Sequence, residues 1–199
     1  MSKICKFIMI LLSVIVITGC VSEPKVEIKE KVYTQVGMWY LNKSVTIIDT
    51  SNVLSDDDTI TIDKKIPSVN YSRDVFIPVN TAVTIIDNHN IGIIFEHEEK
   101  SIVLFNKKAY TGLNQDNLLK RMFSPTPVDL SSFTDVEQIL IKQGAVELNM
   151  SKEALILSRG YPPIHRTPSL KGNTWRYWEA RFNSRNYIFK DNKLIKLQN

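Results

Sequence analysis

Four segments near the end of the chain decide the fold predicted there: Met150-Ser151-Lys152-Glu153-Ala154-Leu155, Gly160-Tyr161-Pro162-Pro163, Thr174-Trp175-Arg176-Tyr177-Trp178 and Phe189-Lys190-Asp191-Asn192. A helix is expected after Ser151, whose hydroxyl can cap its first turn. The helix should end at Gly160, because the two prolines that follow prevent it from resuming. The aromatic runs beyond are typical of strands, with a turn at Asp191-Asn192. Residues 149–197 are therefore predicted to form a helix, a rigid loop and three antiparallel strands.

This order of elements resembles the SmpA/OmlA, or BamE-like, family of small outer-membrane lipoprotein domains. The family pattern is Gly-Met-Ser/Thr-Lys-x-x-Val/Leu, Gly-x-Pro, a Trp/Tyr-rich strand and a final Phe-x-Asp-Gly. Asn149 and Asn192 stand where the family has glycine, and Asn tolerates positive φ better than other non-glycine residues. The resemblance implies a BamE-like α+β domain over residues 128–199. It also implies a binding or scaffold role in envelope assembly.

A further helix is predicted ahead of this unit. Thr134-Asp135-Val136-Glu137 matches a capping box, and Gly144 should stop the helix. The spacing of Val136, Ile139 and Leu140 predicts its apolar face. We expect this helix to pack with the one after Ser151 on the terminal sheet.

The N-terminus has the pattern of a lipoprotein export signal. Lys3 and Lys6 precede an apolar run over residues 7–17, which is too short to span a hydrocarbon core of roughly 30 Å as a helix. Ile17-Thr18-Gly19-Cys20 then matches the lipobox, in which the cysteine is acylated before cleavage. Residues 1–19 are therefore predicted to be a signal peptide, with the mature chain attached to a membrane through lipidated Cys20.

The residue after Cys20 indicates which membrane holds the lipid. Val21 stands where the retention signal for the inner membrane of enteric bacteria has Asp. The expected location is therefore the periplasmic face of the outer membrane. The only other cysteine, Cys5, lies in the signal, so no disulfide and no cysteine metal site is expected in the mature chain.

Residues 20–31 are short and charged and are predicted to be a tether. The segment after it is rich in Val, Ile and Thr and predicts strands over residues 32–40, 44–49, 59–65, 82–87, 91–97 and 102–106. A short helix at 114–122 should precede the domain boundary. Residues 32–122 are therefore predicted to form a small β-barrel or roll within a mostly β, α+β protein. The run from Phe76 to Ile85 resembles the Ile-Pro-x-Gly-Thr-x-Val-x-Ile signature of bacterial Src-homology-3-like barrels.

Charge is distributed unevenly along the chain. Without Lys3 and Lys6, 23 basic side chains face 21 acidic ones, a net charge of +2. This balance gives no support to nucleic-acid binding. The last 41 residues nevertheless contain nine basic and two acidic side chains. Such asymmetry predicts an anionic partner for the terminal segment, unless the charges alternate between strand faces and only solvate the sheet.

No set of catalytic or metal-binding residues stands out. Neither a Gly-x-Ser-x-Gly motif nor a nucleophilic cysteine is present, and Glu96-His97-Glu98-Glu99 is not a His-Glu-x-x-His site. We therefore expect a non-enzymatic protein without cofactor or metal. Two alternatives remain open: a periplasmic inhibitor-type module, and a cell-wall hydrolase or its accessory in which His165 and Arg166 act.

The loop after Gly160 is the predicted binding site. Its three prolines should hold it nearly rigid, and rigid loops lose little entropy on binding. On the next strand, Arg176 and Trp178 should share one face, opposite Trp175 and Tyr177. The expected partner is an envelope protein or an anionic lipid headgroup, although the loop could instead be a stiff connector. The predicted recognition surface comprises Tyr161, His165, Arg166, Arg176 and Arg181.

Overall fold

The structure, a computed structural model, describes residues 30–40, 45–48, 59–62, 64–67, 75–89, 92–180 and 182–199. Its fold is α+β and mostly β, with four helices in these ranges, so the predicted fold class is confirmed at this level. The predicted signal peptide, Cys20 and most of the tether lie outside the described residues, as does Arg181. No helix in the described ranges combines the length and apolar character that crossing a bilayer requires.

The first part of the chain consists mainly of short strands. They are β1 (Glu30–Thr34), β2 (Met38–Tyr40), β3 (Val45–Ile48), β4 (Thr59–Ile62), β5 (Lys64–Pro67), β6 (Val75–Ile77), β7 (Ala82–His89), β8 (Gly92–His97) and β9 (Lys100–Phe105). The predicted strand over 32–40 is interrupted at Gly37, whose backbone lies against Ser158 and the ring of Phe76. Strand β6 was not predicted.

A six-stranded sheet organises these elements in the order β10-β1-β7-β8-β9-β5, where β10 is Phe123–Ser124. Its pairs are antiparallel except for the parallel pair of β5 and β9. Strands β10 and β5 are the two edge strands of this sheet and do not pair with each other. The six strands therefore do not form a closed barrel. The strands β2 and β6 form a separate ribbon, as do β3 and β4.

Two helices lie between β9 and β10. The short helix α1 (Lys108–Thr111) was not predicted, whereas α2 (Gln115–Met122) confirms the helix expected at 114–122. The Asn114 side chain caps α2 by accepting from the backbone N–H of Asn117. Leu118 of α2 is buried in the core of the first sheet.

Helix α3 (Asp135–Gln143) begins with the predicted capping box and ends at Gly144, whose φ is 65°. Two of the three residues predicted for its apolar face are exposed, Val136 at 60% and Ile139 at 55%, whereas Leu140 is buried as predicted. The buried face is formed by Glu137, Leu140 and Ile141. The helix can turn a glutamate inward because other chain segments satisfy that carboxylate with hydrogen bonds.

Helix α4 (Lys152–Arg159) starts at the predicted Ser151 cap and stops at Gly160. Leu155 packs on the terminal sheet, while Ala154 joins the side chains of α3. Helix α4 therefore makes the apolar contact with the sheet, and α3 packs on α4. The sheet contains β11 (Thr174–Ala180), β12 (Asn183–Lys190) and β13 (Lys193–Gln198), which are antiparallel neighbours in this order.

The predicted last turn is confirmed at Asp191 and Asn192, whose φ values are 48° and 64°. Asn149 also has positive φ, at 75°. Asn149 and Asn192, the two positions where the BamE-like pattern has glycine, thus both adopt left-handed backbone. Asparagine tolerates this conformation better than most other residues. Beyond the turn, the backbone N–H of Leu194 donates to the Met150 carbonyl at 2.8 Å, which extends the sheet by one short segment.

Packed contacts join the segments on either side of the predicted boundary. The Phe76 ring lies so close to Gly144 that a Cβ atom there would come within 2.7 Å of it. The Asn80 side chain donates to the Val128 carbonyl at 2.8 Å and accepts from the Val128 N–H at 2.6 Å. The division into domains at 32–122 and 128–199 stays a prediction, but the two segments contact each other through the half-buried side chains of Phe76 and Asn80.

Candidate functional site

The loop after α4 contains a tight exposed turn. Pro162, Pro163 and Thr167 are buried, whereas the three residues 164–166 are exposed. The Pro163 carbonyl accepts from the backbone N–H groups of Arg166 and Thr167, at 3.0 and 2.9 Å. Residues 163–167, here called the basic turn, are therefore held by their own backbone between two buried ends.

Strand β11 holds one end of the basic turn. The Thr167 hydroxyl accepts from the backbone N–H of Arg176 at 2.9 Å, which places the turn beside the edge of β11. The hydroxyl of Tyr177, a fully buried residue, donates to the Gly160 carbonyl at 2.9 Å. These bonds fix the loop at both of its ends on the same strand.

A buried polar network lies beneath this loop. Arg159 contacts Glu179 at 3.4 Å, and the Tyr187 hydroxyl donates to Glu179 at 2.6 Å. Burial raises the pKa of both the Tyr177 and the Tyr187 phenol above its ordinary value, so both remain hydrogen-bond donors at neutral pH. Arg159 is only 6% exposed. It contributes to the charge of the terminal segment but not to its surface.

The turn also contacts helix α1, which belongs to the first part of the chain. The backbone N–H of Ile164 donates to the Tyr110 carbonyl at 2.8 Å. The His165 ring stacks on the Tyr110 ring, with centroids 4.5 Å apart and planes inclined by 27°. Lys107 lies at the same ring, its Nζ atom 3.1 Å from the Tyr110 hydroxyl. Neither Lys107 nor Tyr110 was predicted as a site residue, since nothing in the local sequence pairs them with a loop more than 50 residues away.

The surroundings of His165 favour the neutral form of its imidazole. Burial lowers its pKa below the ordinary value of 6.5, and the charges of Arg166 and Lys107 lower it further. Its ring stacks on the Tyr110 ring, and the positive charges of Arg166 and Lys107 act on it.

Arg166 and Arg176 are both exposed and lie near the same tryptophan. The Arg166 guanidinium is 5.9 Å from the centre of the Trp178 ring. Arg176 shares a face of β11 with Trp178, and its Nε atom donates to the Ser184 hydroxyl at 2.8 Å. Trp178 is half-buried, whereas Trp175, on the other face, is 1% exposed. The predicted division of the aromatic residues between two faces is therefore confirmed.

Tyr161, the first predicted site residue, is half-buried. The Arg121 guanidinium of α2 lies 4.4 Å from the centre of its ring, so Arg121 is another cation that the sequence did not indicate. Four predicted site residues, Tyr161, His165, Arg166 and Arg176, are thus placed on or beside one loop. The fifth, Arg181, lies outside the described residues.

The resulting basic surface comprises Lys107, Arg121, His165, Arg166 and Arg176. The ion pairs found between described residues are His97–Glu98, Arg159–Glu179 and Lys193–Glu137. None of them involves Arg121, Arg166 or Arg176. The guanidinium groups of these three residues therefore have no carboxylate partner among the described residues and can accept an external anion.

No group of three or more potential metal ligands comes together in the described part of the chain. No protein-family model, no curated protein and no solved structure matches this sequence.

Proposed function

We propose that this chain is a lipid-anchored envelope protein that acts as a binding or scaffold module in outer-membrane assembly or maintenance. The lipobox ending at Cys20 supports the location at the outer membrane, and the resemblance to the BamE-like family supports a binding or scaffold role. The observation that carries the proposal is the basic turn, which is fixed on both α1 and β11 and exposes Ile164, His165 and Arg166. On this proposal residues 128–199 are a BamE-like unit, and residues 32–122 are a small β-roll beside it.

Pre-ordering suits this turn for recognition. Binding costs less free energy when the contacting loop is already ordered, because fewer rotamers and backbone states are lost. The backbone bonds from Ile164 to Tyr110 and from Arg166 to Pro163 supply that order. The buried Thr167 hydroxyl adds a further anchor.

The chemistry of the surface favours an anionic partner. Arginine binds carboxylate and phosphate groups through two parallel N–H donors. Arg166 and Arg176 present such donors to solvent without an ion-pair partner in the described residues. An acidic surface of another envelope protein fits this arrangement, and so does an anionic lipid headgroup, for which each basic residue contributes about 1 kcal/mol.

The tether allows either partner to be reached. Strand β1 begins at Glu30, so ten residues, 20–29, separate it from the proposed lipid. Fully extended, these residues span at most roughly 33 to 36 Å. That reach is sufficient for the basic surface to fold back onto the membrane or to meet a neighbouring envelope protein.

Of the alternatives, an inhibitor-type module is the second candidate. Its supporting observation is the protruding turn at 164–166, since such a turn can enter the cleft of another protein. A hydrolase is less well supported, because the groups around His165 are Tyr110 and two cations rather than a carboxylate and a nucleophile.

Crosslinking in intact membranes tests the proposed function. We expect the wild-type chain to capture a stoichiometric envelope partner, and Arg166→Glu combined with Arg176→Glu to lose it. Lys142→Glu combined with Lys190→Glu is the matched control, because both lysines are exposed and lie outside the basic surface. Equal capture by the two double variants would show that this surface is not the site. Substrate turnover that disappears with His165→Ala would support the hydrolase instead.

A further inference from the structure

Two nitrogen-bearing side chains, Lys107 and His165, contact one aromatic ring where α1 meets the basic turn. The Lys107 Nζ atom lies 4.3 Å from the centre of the Tyr110 ring, and the His165 ring stacks on that ring at 4.5 Å. Arg166 follows His165 directly. Burial, Arg166 and Lys107 together lower the pKa of His165, which agrees with both cations lying close to the imidazole.

The backbone fixes this arrangement before any ligand arrives. The Ile164 N–H bond to the Tyr110 carbonyl, at 2.8 Å, joins the turn to α1. The Arg166 N–H bond to the Pro163 carbonyl, at 3.0 Å, fixes the direction of the turn itself. The cluster therefore combines residues from both parts of the chain in a set position.

We propose that Lys107, His165 and Arg166 form an oxyanion site that binds a phosphate group. This site deepens the proposed function, on which it rests, by naming the anionic group and by adding Lys107 to the contact surface. It also implies that the first part of the chain takes part in recognition, because Lys107 and Tyr110 lie outside the BamE-like segment.

The three side chains favour phosphate over carboxylate. One arginine fork can satisfy both oxygens of a carboxylate. A phosphate monoester offers an additional acceptor oxygen and carries between about one and a half and two negative charges at neutral pH. An arginine fork, a lysine point charge and an imidazole N–H together match that larger set of acceptors.

Histidine NMR can test the site, because the chain has only three histidines. The full chain, purified in detergent and labelled in histidine, is titrated with inorganic phosphate while chloride keeps the ionic strength constant. We expect a saturable shift of the His165 ring signals and a rise in the pKa of His165, since a bound dianion favours the charged imidazole. The signals of His89 and His97 serve as internal controls and should not move.

Variants identify the residues that hold the phosphate. Lys107→Ala and Arg166→Ala should each weaken phosphate binding by about five-fold or more, the typical effect of losing one basic residue beside an anionic group. Lys142→Ala removes an exposed lysine on α3 and should leave the affinity unchanged. Phosphate affinity that is the same in all three variants would overturn the proposal.

Other anions and vesicles complete the test. A His165 shift of equal size with acetate, or a shift with chloride alone, would contradict a phosphate site. Vesicles containing phosphatidic acid, a lipid whose phosphate is a monoester, that bind in a manner dependent on Lys107 and Arg166, against phosphatidylcholine as control, would identify a lipid as the source of the phosphate. A phosphate response without vesicle binding would identify a soluble phosphorylated molecule.

The two proposals can fail separately. If phosphate does not shift the His165 ring signals while membrane crosslinking still depends on Arg166 and Arg176, the phosphate site is wrong and the proposed function stands. If phosphate binds as expected but no envelope partner is captured, the proposed function is wrong and the anion site remains.

Discussion

The backbone N–H of Ser151 donates to the Oε1 atom of Glu137 at 2.7 Å. The same carboxylate oxygen lies 3.1 Å from the Lys193 ammonium, and the other oxygen accepts from Thr134. One buried glutamate therefore joins the start of α3, the start of α4 and the start of β13. This carboxylate holds the terminal unit together.

Removing that carboxylate should destabilise the protein. Glu137→Ala leaves the buried N–H of Ser151 and the Lys193 ammonium without their partner. We expect a loss of about 2 to 3 kcal/mol in the free energy of unfolding, measured by urea denaturation. Glu147→Ala is a control that removes an exposed glutamate for which no side-chain hydrogen bond is found among the described residues. An equal loss in both variants would contradict the role assigned to Glu137.

The same group predicts a pH dependence of stability. Burial alone would raise the pKa of Glu137, but hydrogen bonds from Ser151, Lys193 and Thr134 outweigh it and lower the pKa to about 2, from an ordinary 4.5. The folded state thus prefers the ionised form, and this contribution is complete above pH 5. It should be lost as the pH falls from about 5 to about 2. In Glu137→Gln, the acid slope of the unfolding free energy should be shallower by about one proton than in the wild type.

Gly144→Ala should be strongly destabilising. The new Cβ atom would sit at a φ of 65° and only 2.7 Å from the Phe76 ring, so left-handed strain and overpacking both contribute. We expect a cost of about 2 to 4 kcal/mol in the free energy of unfolding.

Gly112→Ala is the matched comparison for this glycine. Its φ is 70°, but its new Cβ atom would meet only the end of the Ile164 side chain at 3.1 Å. It should cost about 1 to 2 kcal/mol, from left-handed strain alone. Gly144→Ala combined with Phe76→Leu should recover part of the lost stability. If the effects of the two substitutions in this double-mutant cycle simply add, the predicted contact between Gly144 and Phe76 is contradicted.

Tyr177→Phe should loosen the basic turn without removing any charge. The variant leaves the Gly160 carbonyl without its buried donor, which should cost about 1 kcal/mol or somewhat more. Hydrogen exchange at the Thr167 amide should become faster, and partner capture should weaken although Arg166 and Arg176 are intact. Tyr187→Phe, which loses a bond to Glu179 rather than to the loop, should leave exchange at Thr167 much less affected.

Lipid labelling is the most direct test of the proposed membrane attachment through Cys20. Radiolabelled palmitate should enter the wild-type chain and should not enter Cys20→Ala. Cys5→Ala should be labelled like the wild type, because Cys5 lies in the segment predicted to be removed. Labelling of Cys20→Ala at the wild-type level would refute the lipoprotein prediction.

The sequence by itself determined the features that depend on neighbouring residues. Caps at Asn114, Thr134 and Ser151, and stops at Gly144 and Gly160, follow from hydrogen bonds within one helical turn. The alternation that buries Trp175 and Tyr177 is likewise a property of the strand alone. For the same reason the lipobox prediction at Cys20 depends on sequence only.

The tertiary structure decided what depends on distant residues. Glu137 turns inward, and Val136 and Ile139 outward, because Ser151 and Lys193 satisfy the carboxylate from 14 and 56 positions away. The open order of the six-stranded sheet is set by pairings such as β5 with β9, which no local pattern encodes. The basic surface gains Lys107 because the basic turn docks on α1, and it gains Arg121 because Tyr161 lies against α2. Packing thus brings charges that are far apart in sequence into one site.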